Sequence, residues 1–188
     1  VPKIVDHDVR RQELAAAVGR VIARDGVAEV SIRSVAAESG WSSGALRHYF
    51  GTRGELLAFA CEQVIDQVTE RITAMPVPDG VREGVKAVLL ETMPVDERRH
   101  AEATIAFSFL ALGLGDPALA RVHRLQFTKM YELCRQLAAH LTVGDDVETT
   151  ARRLHALVDG LSVHVLAGHL TSGEMVRQLD DYLGELTA

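Results

Sequence analysis

The residues best able to do chemistry crowd into one stretch, "SIRSVAAESGWSSGALRHYFGTRGEL", positions 31–56. Within it Ser42, Ser43, Gly44 and Ala45 are small, and Arg47, His48 and Tyr49 carry polar groups. Leu46 and Phe50, four residues apart, are apolar. A helix with this pattern has one face to bury and one narrow polar face to offer. Arginine presents a planar fork of donors that matches a guanine edge or a phosphate. Small residues ahead of it let the backbone come close to a partner. The first turn of a helix also offers N–H groups and partial positive charge to a phosphate. Ser31 and Arg33 on one side, and Thr52 and Arg53 on the other, are placed to flank a groove and hold phosphates. This is the chemistry of DNA recognition. The same spacing also suits a plain piece of core, and spacing alone leaves both readings open.

The elements that must position these residues are helices throughout. Leu14, Val18, Val21 and Ile22 mark one face of a first helix over about 7–25, closed by Asp25-Gly26. Ser31 caps a second helix whose Ile32, Val35 and Ala36 face inward, and a turn at Gly40 leads to a third helix beginning at Ser43 and ending at Gly51. Short helices joined by a tight glycine turn describe a helix-turn-helix. Thr52 and Glu55 form a capping box for a long fourth helix, which Met75-Pro76-Val77-Pro78 breaks. A fifth helix stops near Pro94, a sixth spans about 96–112, and Asp116-Pro117 starts a seventh that runs to about 141. Gly144-Asp145 precedes an eighth, and Thr171 and Glu174 cap a ninth. The expected fold is therefore all-α with about nine helices. A helix-turn-helix domain over 1–52 precedes a helical ligand-binding and dimerisation domain over 53–188.

Bulk properties narrow the function. The 188 residues are 47% hydrophobic, enough for a real core. The net charge of −6 is uneven: residues 1–55 carry one net positive charge and the remainder seven net negative. Such a chain is poorly suited to indiscriminate nucleic-acid binding, but a local basic surface at one end is allowed. No apolar run reaches membrane-spanning length, and "VPKIVDHDVRRQEL" lacks an export-type apolar core. Cys61 and Cys134 lie on apolar helical stripes without metal-type spacing and read as buried thiols in a reducing compartment. The expectation is a cytoplasmic protein without membrane contact. Phosphate-binding glycine loops, nucleophile elbows and zinc HExxH motifs are missing, so neither an enzyme nor a cofactor is expected.

The stretch "VSIRSVAAESGWSSGALRHYFGTRGELL" resembles the DNA-binding signature of the TetR family of bacterial transcriptional regulators. The resemblance rests on Ile32, Val35-Ala36, Gly40, Ser43-x-Ala45-Leu46, His48-Tyr49-Phe50 and the capped helix opening Thr52-Arg53, and covers about residues 8–60. It implies that His48 and Tyr49 lie at the DNA backbone or groove, and that Thr52 and Arg53 contact phosphate. Arg47 stands where the family often has an aromatic residue, and Arg53 where lysine is commonest. Trp41 stands where a small aliphatic residue is usual, and is read as packing, the alternative being that an exposed Trp41 extends the DNA surface. The stretches "RRLHALVDGLSVHVLAGHL" and "LDDYLGEL" resemble the choline-responsive BetI branch more loosely.

In the remaining residues three further readings arise. Leu154, Val158, Leu161 and Val165, with Val176, Leu179 and Leu183, form heptad-like seams on the last two helices. They suit contact between two copies of the chain, with Gly160 and Gly168 permitting close approach, or else the chain's own core. Met93, Phe107, Phe109, Phe127, Met130 and Tyr131 are candidate walls of an apolar effector pocket, Tyr131 giving an orienting hydroxyl. At helical spacing they are also ordinary core residues. His155 and Asp159 have metal-ligand spacing, but no further ligand is evident and no metal is expected. The expected protein is a homodimeric repressor that binds an inverted-repeat DNA operator and is released by a small molecule. The alternative is a small-molecule-binding or scaffold protein with a degenerate helix-turn-helix.

Overall fold

The computed structural model describes residues 7–76, 78–113, 120–142 and 146–187. Among these there are nine α-helices, a single 3-10 turn and no strand. The helices are α1 His7–Asp25, α2 Ile32–Ser39, α3 Ser43–Tyr49, α4 Arg53–Ala74, α5 Val81–Glu91, α6 Glu97–Gly113, α7 Ala120–Leu141, α8 Asp146–Leu166 and α9 Ser172–Thr187. The expected caps at Asp116-Pro117 and the turn at Gly144-Asp145 lie outside the described residues.

Local signals set most helix ends. Gly26 (φ 87°) follows α1, and its N–H closes on the Ile22 carbonyl at 2.9 Å. Gly40 (φ 73°) ends α2 in the left-handed region, where a Cβ would be strained. Thr171 caps α9 reciprocally: its hydroxyl accepts from the Glu174 N–H at 3.2 Å, and its own N–H donates to the Glu174 carboxylate at 2.8 Å. At α4 the reciprocal bond is displaced by one residue, because Glu55 accepts from the Gly51 N–H at 2.7 Å rather than from Thr52. The 3-10 turn Val27–Glu29 has no counterpart in the apolar pattern.

The chain packs as two compact units, Val1–Gln67 with Thr104–His123, and Val68–Ala103 with Arg124–Ala188. The division between them passes within α4, α6 and α7, and the first turns of α4 send Leu56, Leu57, Ala60 and Cys61 into the first core. That core also takes Leu14, Val18 and Val21 from α1, Val35 from α2, Leu46 from α3, and Ile105 and Phe109 from α6. The Cys61 thiol is pushed up to about 12 by burial, so it stays protonated and unreactive.

The second core gathers Val85 and Leu89 from α5, Cys134 and Leu137 from α7, and the apolar stripes of α8 and α9. The heptad-like seam of the last two helices, which in sequence suits either a second copy or the chain's own core, lies in this second core. Leu154, Val158, Leu161, Val165, Leu179 and Leu183 are buried within the single chain, and Val176 is half-buried beside them. The seam is the chain's own core, since α8 and α9 pair with each other and with α5 and α7. Gly168 is likewise no packing notch. It takes φ 74° just beyond α8, in the stop where the His169 N–H reaches the His164 carbonyl at 2.9 Å.

One ionic network is set into this second unit. Arg71 of α4 donates to Glu91 of α5 at 2.7 Å and to both carboxylate oxygens of Glu102 on α6, at 3.0 and 2.6 Å. Arg99 also donates to Glu91. With each charge matched, the network fixes helix register rather than adding large net stability. The buried seam gives a direct expectation. Leu154→Ala should cost about 2–5 kcal/mol in urea unfolding, as for other enclosed leucines; a cost under about 1 kcal/mol would mean Leu154 is not core.

Candidate nucleic-acid interface

The DNA-type residues are assembled by three short elements of the first unit. α2 begins with a capping box made by two serines. The Ser31 hydroxyl accepts from the Ser34 N–H at 3.1 Å, and the Ser34 hydroxyl accepts from the Ser31 N–H at 2.9 Å. Serine in the third helical position, in place of Glu or Gln, explains why the sequence pattern did not reveal it. After the Gly40 turn, Ser42 caps α3 by accepting from the Ala45 N–H at 3.0 Å. Leu46 is the one fully buried side chain of α3, while Ser42, Ser43, Gly44, Arg47, His48 and Tyr49 are exposed and Ala45 is half-buried. Tyr49, 61% exposed, is unusual for so large an aromatic ring.

The flanking residues are in place, with Arg53 partly occupied. Arg33 and Thr52 are exposed, and Thr52 caps α4 by accepting from the Glu55 N–H at 3.1 Å. Arg53 is half-buried and spends Nη2 on the Val27 carbonyl, in the 3-10 turn that the apolar pattern does not show. Its guanidinium is thus partly used to tie α4 to the loop before α2.

Charge is sorted across this unit. Arg20 pairs with Glu38 at 2.6 Å, and Arg24 with Glu38 and Asp25, each at 2.7 Å. Hydrogen bonds from Arg20, and next from Arg24, hold the Glu38 carboxyl below its ordinary range. The pairing therefore contributes stability above the usual glutamate range, and that contribution disappears as pH falls through the lowered value. Among the described residues no carboxylate pairs with Arg10, Arg11, Arg33, Arg47 or Arg53. An acidic chain thereby keeps, among the described residues, a set of cations without carboxylate partners on α1, α2, α3 and α4.

Sequence reasoning missed a row of rings and a cation beside α3. The Arg10 guanidinium lies 5.5 Å from the Trp41 ring centroid, the Trp41 and Tyr49 rings meet edge-on at 5.9 Å, and His48 and Tyr49 meet edge-on at 5.6 Å. Trp41 is half-buried and packs against the first core, as expected, but its edge continues the exposed surface.

The six pocket candidates divide between the units. Phe107 and Phe109 belong to the first, and Phe109 is enclosed in its core. Met93, Phe127, Met130 and Tyr131 belong to the second. Met93 is also wholly enclosed, within the second core. Phe127 is 37% exposed, with its ring 5.5 Å from that of His155, and the Tyr131 hydroxyl donates to Glu148. His155 Nε2 and Asp159 stand 3.3 Å apart, and among the described residues no group of three metal-type side chains forms.

Two family models match the chain. "Bacterial regulatory proteins, tetR family" spans residues 14–59, and "BetI-type transcriptional repressor, C-terminal" spans residues 81–188. The HTH-type transcriptional regulator PksA of Bacillus subtilis (strain 168) is 39% identical over 177 residues, covering 88% of this chain and 83% of the relative. A crystal structure of a transcriptional regulator from Rhodococcus sp. Rha1 superposes with a TM-score of 0.83 at 27% identity, covering 94% of this chain and 95% of that one. The multidrug binding protein EbrR, complexed with ethidium, superposes with a TM-score of 0.70 at 27% identity, covering 94% and 98%.

The cap on α3 can be tested without any ligand. Ser42→Ala should lower stability by about 0.5–2 kcal/mol, and Ser42→Gly by only a few tenths, read from urea midpoints. Equal effects from both would show that the hydroxyl does not support the helix.

Proposed function

The chain belongs to the TetR family of bacterial transcriptional regulators, and on that footing we propose that it is a cytoplasmic, homodimeric repressor that binds an inverted-repeat operator and is released by a small-molecule effector. The observation that carries the DNA reading is the two-sided α3. Leu46 is buried, while Arg47, His48 and Tyr49 stand exposed beside cations with no carboxylate partner among the described residues. Ser42, Ser43, Gly44 and Ala45 let the α3 backbone approach base edges, Arg47 reads a guanine edge, and His48 and Tyr49 lie by the backbone. Ser31, Arg33, Thr52 and Arg53 hold phosphates on either side.

Two copies present two such helices to major grooves about 34–36 Å apart. Because the heptad-like seam is spent inside the chain, the face offered to a second copy is the opposite side of α8. There Ala156, Gly160 and Val163, with Ala167 just beyond the helix, recur at steps of 4, 3 and 4 and are all exposed, Val163 at 46%. A Cβ added at Gly160 meets nothing within 4 Å in the single chain, which leaves room for a close approach.

The effector enters the second unit near Phe127, Met130 and Tyr131. EbrR with ethidium supports the reading that this kind of domain takes small organic molecules. To release DNA, the effector must bind the non-binding conformer better than the binding one. α4, like α6 and α7, has residues in both units, and it follows directly on the helix-turn-helix, so it is the proposed route for that shift.

The test is selection of DNA from a random duplex pool at near-physiological salt. Recovery of an inverted repeat with half-site centres one turn or a multiple apart is the expected result; no enrichment by a folded dimer would favour a ligand-binding protein with a degenerate helix-turn-helix. On the recovered duplex, Arg47→Ala should cost about 1–3 kcal/mol and relax preference at one position. Arg53→Ala should weaken all sequences alike and lower the salt slope, with circular dichroism checking that its bond to Val27 is not needed for folding.

A further inference from the structure

We propose that Arg10 is a DNA-backbone contact outside the helix-turn-helix, and that Trp41 is the residue that positions it. The inference rests on the DNA-binding reading above and adds to it a second anchoring element on α1.

Three observations meet here. Arg10 is exposed, and among the described residues it has no carboxylate partner, unlike Arg20 and Arg24 further along α1. Its guanidinium is held 5.5 Å from the Trp41 ring centroid. Trp41 immediately precedes the Ser42 cap of α3, and its ring edge touches exposed Tyr49. The row Arg10, Trp41, Tyr49 and His48 is therefore continuous with the face of α3 that carries the groove-facing side chains.

The chemistry suits a phosphate. A guanidinium held near an indole ring by cation–π attraction spends no N–H donor on that contact, and those donors match phosphate oxygens. Holding the long side chain over a ring beforehand also reduces the ordering cost of binding. A small aliphatic residue at position 41 would supply neither the ring face for Arg10 nor the edge for Tyr49. Arg11 is the internal contrast. It lies 5.1 Å over Phe59, whose ring packs against Phe50 and the first core rather than against the exposed rings of α3.

The experiment uses the full chain and the duplex recovered by selection, with affinity measured by fluorescence anisotropy from about 50 to 200 mM KCl. Removing one phosphate-binding cation lowers the salt slope by about 0.9, so Arg10→Ala should lower it by about 1.8 for a dimer on two half-sites. The drop in affinity between those salt concentrations then shrinks about ten-fold. Arg11→Ala should leave the slope near that of the wild type, and Arg10→Lys should largely keep it. Trp41→Leu should weaken binding roughly five- to 150-fold, the ordering cost of two freed side chains on two half-sites, and should weaken it less when Arg10 is already alanine. Trp41→Phe retains a ring and should lie between; it replaces Trp41→Leu if circular dichroism shows the latter misfolded. Trp41 is the sole tryptophan, so wild-type emission should also change on saturation with the duplex.

An unchanged slope for Arg10→Ala overturns the proposal and leaves the DNA reading standing. An equal drop for Arg11→Ala, or an equal effect of Trp41→Leu in both backgrounds, overturns the positioning role. A wild-type chain that binds no duplex brings down both readings.

Discussion

The burial of Leu46 is the constraint on which the working surface depends. α3 has seven residues, far below the roughly 12–15 that an isolated helix needs to persist in water. It exists because Leu46 is enclosed in the first core, Phe50 packs on Phe59, and Ser42 satisfies the Ala45 N–H. The exposed side chains of α3, Ser43, Arg47, His48 and Tyr49, can then face a partner. A short helix held by one buried leucine can be narrow and polar, which a self-sufficient amphipathic helix of ordinary length could not be.

Electrostatics follows the same division of labour. The chain is acidic overall, so a DNA-facing surface must be made locally, by choosing which arginines are neutralised. Glu38 and Asp25 take Arg20 and Arg24 out of play at the far end of α1. Arg10, Arg33 and Arg47 are left without carboxylate partners among the described residues, and Arg53 is half engaged by a backbone carbonyl. Composition alone shows only a near balance in the first 55 residues. Pairing across space turns that balance into a directed surface.

In the second unit the buried charges do a different job. Arg71, Glu91, Arg99 and Glu102 come from three helices and satisfy one another, so a sliding of any one helix would leave a half-buried charge unpaired. Apolar packing is less particular about register, and the ionic network supplies that particularity among α4, α5 and α6. Membership of the family accounts for the overall plan; these four residues show how this chain keeps those three helices in step.

The sequence by itself determined the helices, their ends and the helix-turn-helix. Those depend on neighbours three or four residues away: the 3.6-residue apolar period, serine and threonine caps, and glycines at positive φ such as Gly40. The site residues of α3 were legible for the same reason, since alternating buried and polar positions within two turns sort themselves. What a stripe packs against is a different matter, because an apolar seam has the same pattern whether its partner is another helix of the chain or a second copy. Only the tertiary structure decided that Leu154, Val158, Leu161 and Val165 are spent inside, that Met93 and Phe109 are enclosed, and that the division between units runs through α4. It alone also brought Arg10 onto Trp41 and Arg53 onto the Val27 carbonyl. Those contacts join residues 31 and 26 positions apart, a separation at which no local periodicity carries information.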